Sequence, residues 1–272
     1  MSPRFLSIVP VVLLAVTGCV KRQDTLTSAE AQEALDEMQT DTTAQALTSG
    51  TVEITTNFTI GDAVEKAAAD LRAFIESQLP CASVTLSANT LSIEYGVNGV
   101  CTFNGHTFTG THTVSISKND TSSEVIVDHT WDALSNGKVR VDGSATATWS
   151  LGDPANVTRH IQHDLKWTRL SDGRTGEGTG DRTQRALGGN ITVGFTEDGQ
   201  RTWDGKRGHW NLDISNIEVR WADPVPQAGS LTLDTPFDKT IAASFGRIDA
   251  STIKVTIQGP NRSFDFDVKS GS

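Results

Sequence analysis

HTWDALSNGK, residues 129–138, decides how this chain is read. Before it, Val125, Val127, His129, Trp131 and Ala133 alternate with polar residues. After it, Val139, Val141, Gly143, Ala145, Ala147 and Trp149 do the same. Period-two alternation on both sides of a Ser-Asn-Gly turn predicts a β-hairpin. Residues facing each other across an antiparallel pair share one face of the sheet. A two-residue Asn136–Gly137 loop would set Trp131 opposite Asp142 and mix the faces. A three-residue loop, Ser135 to Gly137, sets Trp131 opposite Val141 and His129 opposite Gly143. The hydrophobic pattern selects the second register. It predicts a type I turn with Gly137 left-handed as a G1 bulge.

The same design recurs. DHTWDALSNGK at 128–138 and DLKWTRLSDGR at 164–174 share Asp, Trp, Leu, Ser, Gly and a basic residue at an offset of 36. That spacing is one hairpin of two long strands with its turns. Leu165 stands where His129 stands in the first copy. A position that accepts leucine faces inward, so His129 is read as a core histidine. The strands would be near thirteen residues long, about twice the usual five or six. One face is apolar; the other carries Glu124, Asp128, Thr130, Asp132, Arg140, Asp142 and Thr146. Such a sheet has one wet face, and long strands coil strongly. The pattern continues through Ile253, Val255 and Ile257, then Phe264, Phe266 and Val268. The predicted fold class is mainly β (α+β). It is a large curled antiparallel β-meander or open barrel over residues 81–272, with N-terminal amphipathic helices.

Those helices belong to residues 28–80. Over 28–47, Ala31, Ala34, Leu35 and Met38 share a helical face, and Thr27 with Glu30 can form a capping box. Threonines between 40 and 43 weaken the second half. TVEITTNFTI, residues 51–60, alternates and reads as a short strand. A second helix starts from Asp62, with Glu65 three residues on, and Pro80 ends it. Val64, Ala67, Ala68, Leu71, Phe74, Ile75 and Leu79 make its apolar stripe. Packing on the sheet explains this stripe; no strongly basic opposite face suggests membrane-surface binding.

The chain opens MSPRFLSIVPVVLLAVTGCV. Arg4 precedes an apolar run from Ile8 to Val16 that is too short for a stable membrane span and reads as an export signal. Val16, Thr17, Gly18 and Cys19 resemble the lipobox of bacterial lipoprotein signal peptides. The resemblance covers about the first twenty residues. It implies cleavage after residue 18, acylation of Cys19 and a tether over 19–27. Val20 follows the cysteine, which by analogy with sorting in enteric bacteria implies the outer membrane. An ordinary signal peptide with a chance cysteine is the alternative. The segment LSIEYGVNGVCTFNGHTFTG, residues 91–110, is similar to uncharacterised envelope lipoproteins of bacteria, a group with no activity to carry over.

If Cys19 carries lipid, Cys81 and Cys101 remain as a pair. In an exported chain they are most simply a disulfide, with free buried thiols as the alternative. Loss of the first eighteen residues removes Arg4 and takes the formal charge from −10 to −11. An acidic chain argues against nucleic acid or anionic lipid as an electrostatic partner.

Sequence motifs for chemistry are sparse. His160 and His163 form HxxH, but in a strand they face opposite ways. His106 and His112 share a face about 20 Å apart. His112 and His129 are the candidate pair. One register of their two strands sets them opposite each other; another sets His112 opposite Val127. The first would place two imidazoles on an apolar face, as a weak metal or ligand site. Gly176, Gly178 and Gly180 would line one face of a strand, as a close-packing site or a ligand groove. Trp131, Trp149 and Trp167 sit near strand ends, where core plugs are a simpler reading than a membrane girdle. No serine sits in a nucleophile elbow and no CxxC spacing exists. No cofactor is implied.

Three functions follow as expectations. The first is a non-enzymatic envelope lipoprotein, tethered to the membrane by its lipid, that is structural or binds an envelope partner. The second is a carrier of an apolar ligand held between sheet and helices. The third is a metal-dependent enzyme using His112 and His129.

Overall fold

The computed structural model describes residues 25–55, 64–103, 106–119, 124–150, 158–189, 194–220, 226, 228–249 and 251–269. The lipobox, Cys19, Asp62 and the second half of the expected 51–60 strand lie outside them.

One antiparallel sheet organises the chain. Its strands are β1 (Ser83–Ser87), β2 (Thr90–Tyr95), β3 (Cys101–Phe103), β4 (His106–Asn119) and β5 (Glu124–Ser135). There follow β6 (Val139–Ser150), β7 (Thr158–Arg169), β8 (Thr175–Ala186), β9 (Gly194–Gly205) and β10 (Gly208–Arg220). The last four are β11 (Ala228–Asp234), β12 (Thr240–Arg247), β13 (Thr252–Gln258) and β14 (Ser263–Lys269). Each pairs with its neighbour in sequence, except that β2 pairs with β4 and β3 pairs only with β4. The result is an open meander with β1 and β14 at its edges. The long strands of 12 to 14 residues, β4 to β10, form its middle. Inward residues alternate with wet ones as read: on β5, Val125, Val127, His129 and Trp131 are buried.

The corner at 129–138 is correct in kind and different in register. Trp131 faces Gly143, not Val141, and His129 faces Ala145, not Gly143. The turn is a two-residue Gly137–Lys138 loop. Asn136 N–H donates to Val139 O at 3.3 Å, and the Asn136 side-chain oxygen accepts from Lys138 N–H (2.9 Å) and Val139 N–H (3.0 Å). Gly137 takes the expected positive φ, 81°, at the first loop position, as a type II′ turn requires. The missing residue of register is a β-bulge. Asp132 and Ala133 together face Asp142, and Ala133 adopts φ 51°. Its N–H donates to the Asp142 carboxylate at 2.8 Å. The bulge switches the phase, so Leu134, and not Ala133, enters the core. Across the next strand Gly110 takes φ 98°, and a Cβ there would lie 2.3 Å from Ala133 O. Only glycine fits beside the bulge.

The second copy of the corner has no bulge. Arg169 and Arg174 close it, Leu170 to Gly173 form the loop, and Leu170 is 47% exposed. The shared letters do not produce shared geometry, because Leu134 is core and Leu170 is surface.

Helix α1 (Ser28–Ile54) runs through the trough of the sheet. At about 1.5 Å per residue it spans about 40 Å, the length of the long strands it lies against. Its capping box forms as expected: Thr27 Oγ1 accepts from Glu30 N–H, and the Glu30 carboxylate accepts from Thr27 N–H. It does not stop near residue 47. Thr51 to Ile54, expected in a strand, are its last turn. Of the threonines that argued against a helix, Thr40 and Thr43 return their hydroxyls to the carbonyls four residues back, and Thr48 and Thr51 do the same three or four residues back. Nor is α1 amphipathic in the expected sense. Ala34, Leu47 and Val52 are buried, and so are Glu37, Asp41 and Gln45, leaving a narrow exposed stripe through Gln32, Gln39, Thr42 and Ala46. Leu26, read as tether, is fully buried against Gly259. The helix and the Leu26 just before it thus touch residues from β4 to the β13–β14 turn, which is possible because the sheet curls around them.

Helix α2 (Val64–Gln78) buries Ala67, Ala68, Leu71 and Ile75, as its stripe predicts, against β1, β2 and β4. It stops just before Pro80. Cys81 then bridges to Cys101 on β3, with Cα atoms 5.3 Å apart and 20 residues between them in sequence. Closing a loop of this size contributes about 3 kcal/mol. Reductant, or a Cys81→Ala change, should lower the melting temperature by roughly 6–12 °C. A calorimetric scan in which Cys81→Ala melts with the wild type would sink this expectation.

Candidate functional site

Two clusters of polar side chains lie inside the trough. The first contains the expected histidine pair. His112 does not face His129 or Val127: it faces Trp131, and His129 faces Val114. That ladder runs unbroken from Asn119 opposite Glu124 to Thr111 opposite Asp132, and the bulge begins only beyond it. The two rings meet on the diagonal instead, His112 Nε2 lying 3.0 Å from His129 Nδ1. Tyr95 Oη lies 3.3 Å from His112 Nδ1. The indole of Trp131 stacks beside both imidazoles at 5.5 and 5.8 Å between centroids. Its N–H donates to Thr51 of α1 at 2.9 Å.

Burial dominates the chemistry here. It pushes His112 well below the usual histidine range, with the His129 charge adding to it. It pushes His129 down to about 3, with Arg159 adding to the effect. Both rings are therefore neutral at pH 7. His129 Nε2 has no hydrogen-bond partner. A positive Arg159 nearby favours a lone pair there over a proton. That makes His129 Nδ1–H the donor to His112 Nε2, and leaves His112 Nδ1–H to meet Tyr95. The two histidines are joined to each other by the atoms a shared metal would need. Among the described residues, no group of three or more His, Cys, Asp or Glu stands where it could hold a metal ion.

The second cluster was not expected. Three arginines and three carboxylates face one another between α1 and strands β7 to β9. Arg201 pairs with Asp41 at 2.7 Å. Arg182 pairs with Glu197 at 3.2 Å, and Gln184 donates to the same carboxylate at 2.5 Å. Arg159 pairs with Glu53, donates to Gln184 and lies 5.2 Å over the Trp149 ring. His163 joins through Gln45 at 3.1 Å and is driven down to about 2 by burial and by Arg182 and Arg201. Burial raises Asp41 and Glu53 against the pull of Arg201 and Arg159. At Glu197 burial also raises, but Arg182, Arg201 and the hydrogen bonds outweigh it and hold the carboxyl low.

The charges balance within the cluster, three arginines against three carboxylates, although Arg159 Nη2, Arg182 Nε and Arg201 Nε find no hydrogen-bond acceptor there. A signal for it existed. Arg159 is in phase with Ile161, His163, Leu165 and Trp167, all buried. An arginine in an inward phase demands an internal carboxylate, and α1 supplies it.

The other expected positions resolve simply. His160 and His163 face opposite ways: His160 meets Asp181 at the wet face and His163 is buried. Gly176, Gly178 and Gly180 do share one face, and rings fill it. A Cβ on Gly176 would lie 2.5 Å from Trp167, on Gly178 2.5 Å from Trp203, and on Gly180 2.2 Å from His163. Trp131, Trp149 and Trp167 are buried core residues. An open groove of about 420 Å³ lies between α1, at Asp36 and Thr40, and the two corner turns, at Lys138 and Leu170. Arg169 bridges its floor to Asp36 at 2.6 Å.

Comparison of the chain with protein-family models, with curated proteins and with solved structures finds no match.

Proposed function

We propose that the mature chain is a lipid-anchored protein of the bacterial outer membrane that works by holding an envelope partner or as a structural element, and not by catalysis. The observation that supports this reading best is the occupied trough. The concave face of a curled sheet is where a carrier would hold an apolar ligand and an enzyme would gather its groups. Here the chain's own helix fills it, and the buried charges are spent on one another. The lipobox-like Gly18–Cys19 junction lies six residues before Thr25, so an acyl chain on Cys19 would hold the domain close to a bilayer.

Mass spectrometry of the protein from its host envelope tests both parts. Under denaturing conditions the wild type should start at Cys19 and carry acyl chains, and a Cys19→Ala variant should carry none. An unmodified wild-type chain would end the anchoring reading. Under native conditions no additional mass should remain. Hundreds of daltons released on denaturation would favour the carrier instead. A metal-sized excess lost in His129→Ala would favour the histidine pair.

A further inference from the structure

The ends of the trough differ in charge. Lys239 at the β11–β12 turn holds the start of α1, donating to Thr25 O at 3.2 Å and to Glu30 at 2.6 Å. Arg174 and Arg207, from the β7–β8 and β9–β10 turns, approach Glu33 at 3.4 and 3.8 Å. The last turn of α1 lies at the other end, where Glu53 meets Arg159 near the start of β7. The five hairpin turns from β5–β6 to β13–β14 therefore share a rim with the N-terminus of α1. In those turns stand Lys138, Arg174, Lys206, Arg207, Lys239 and Arg262, six basic residues, against two acidic ones, Asp172 and Asp238. The connections at the opposite rim, between β1–β2, β4–β5, β6–β7, β8–β9, β10–β11 and β12–β13, contain no Lys or Arg. They contain Asp120, Asp153, Asp223 and Asp249. Lys138, Lys206, Arg207 and Arg262 are exposed at the tips.

We infer that the rim of hairpin turns beside the N-terminus of α1 docks flat on an anionic phospholipid surface, with Lys138, Lys206, Arg207 and Arg262 over the headgroup phosphates. The inference rests on the lipid anchor proposed above. Thr25 stands six positions after Cys19, and a chain of that length reaches about 20 Å at most. This rim, and not its acidic opposite, is the one held at the bilayer. The chain is acidic as a whole, which argued against such a partner. Local charge governs contact at these distances, because salt screens beyond about 10 Å. Each basic residue near an anionic surface adds to the attraction.

Hydrogen exchange of the full mature lipoprotein, reconstituted into phosphatidylcholine vesicles with or without phosphatidylglycerol, tests this. Exchange at residues 137–138, 206–207 and 260–262 should slow by about tenfold on the anionic vesicles only. High salt should release it, and residues 88–89 and 248–249 should be unaffected. A variant with Lys206→Glu, Arg207→Glu and Arg262→Glu should melt with the wild type and lose the protection. Equal exchange on both vesicles, or protection at 88–89 and 248–249, overturns the inference. The intact mass of the same sample reports acylation. An unacylated chain sinks the anchoring reading and this one together, whereas an acylated chain with unprotected turns sinks this one alone.

Discussion

Mild acid should unfold this protein well before its carboxylates are exhausted. Three histidines, His112, His129 and His163, are buried and held neutral, with His129 at about 3 and His163 at about 2. In the unfolded chain each has the ordinary value near 6.5. The sign follows from which state binds protons. Above about 6.5 neither does, and the histidines cost nothing. Below it the unfolded chain takes protons that the folded one refuses, so stability falls with pH until the folded values are reached. A histidine held neutral contributes up to about 1.4 kcal/mol per pH unit, so His129 and His163 together remove about 3 kcal/mol between pH 6.5 and 5, and His112 acts in the same direction. Asp41 and Glu53, raised by burial, act in the opposite direction and offset part of the loss. A single variant isolates the effect. His129→Leu copies the residue that stands at Leu165 in the second corner. It should flatten the slope of unfolding free energy against pH, from urea titrations between pH 6.5 and 5.5, by about 1.4 kcal/mol per unit. An unchanged slope would mean His129 is not buried neutral.

Breaking the ion cluster should cost nearly as much. Asp41→Ala leaves the Arg201 guanidinium, 8% exposed, without its 2.7 Å partner. Removing one member of a buried pair typically costs about 3–5 kcal/mol. Replacing both members, Asp41→Leu with Arg201→Leu, should recover most of that loss, since a well-packed apolar pair avoids the desolvation of two charges. The recovery will be incomplete, because Arg182 and Glu197 belong to the same field and the sites couple. Equilibrium urea unfolding of the two variants checks this. A double variant no more stable than Asp41→Ala would show that the pair does more than neutralise itself. The physical role of the cluster is registration: apolar contacts alone would let α1 slide or rotate in the trough, and the pairs Asp41–Arg201 and Glu53–Arg159, which join α1 to β9 and β7, allow one seating.

The local chemistry of this chain was legible because it depends on neighbours in sequence. Alternation exposes the long strands and their wet face. Asn136 and Gly137 mark the corner, Thr27 with Glu30 marks the start of α1, and Pro80 marks the end of α2. The pairing of Cys81 with Cys101 was the simplest reading once Cys19 was set aside for the expected lipobox. The inward position of His129 followed from Leu165. The register was not legible. Ala133 looks like the next inward residue after Trp131, and nothing local says that the backbone will bulge there and send Leu134 inward instead. That bulge relieves β5 against Gly110 on one side and Asp142 on the other, so it is decided by two other strands.

The second half of α1 shows the same division. Residues 51–54 have the composition of a strand, and as an isolated segment Thr, Val and Ile favour one. Inside the trough every strand partner is already taken by the meander, and a helix is the one form that satisfies its own backbone hydrogen bonds there. Glu37 and Asp41 in the expected helix, and Glu53 in the expected strand, fall outside the apolar positions read there, because sequence alone does not show what stands opposite. Arg174, Arg201 and Arg159 stand opposite, brought from more than a hundred residues away. The sequence by itself determined most of the elements and most of the strand faces, since these follow from periodicity and turn chemistry within a few residues. The tertiary structure alone decided register, the length of α1 and the partners of every buried charge, since these depend on which surfaces the curled sheet encloses.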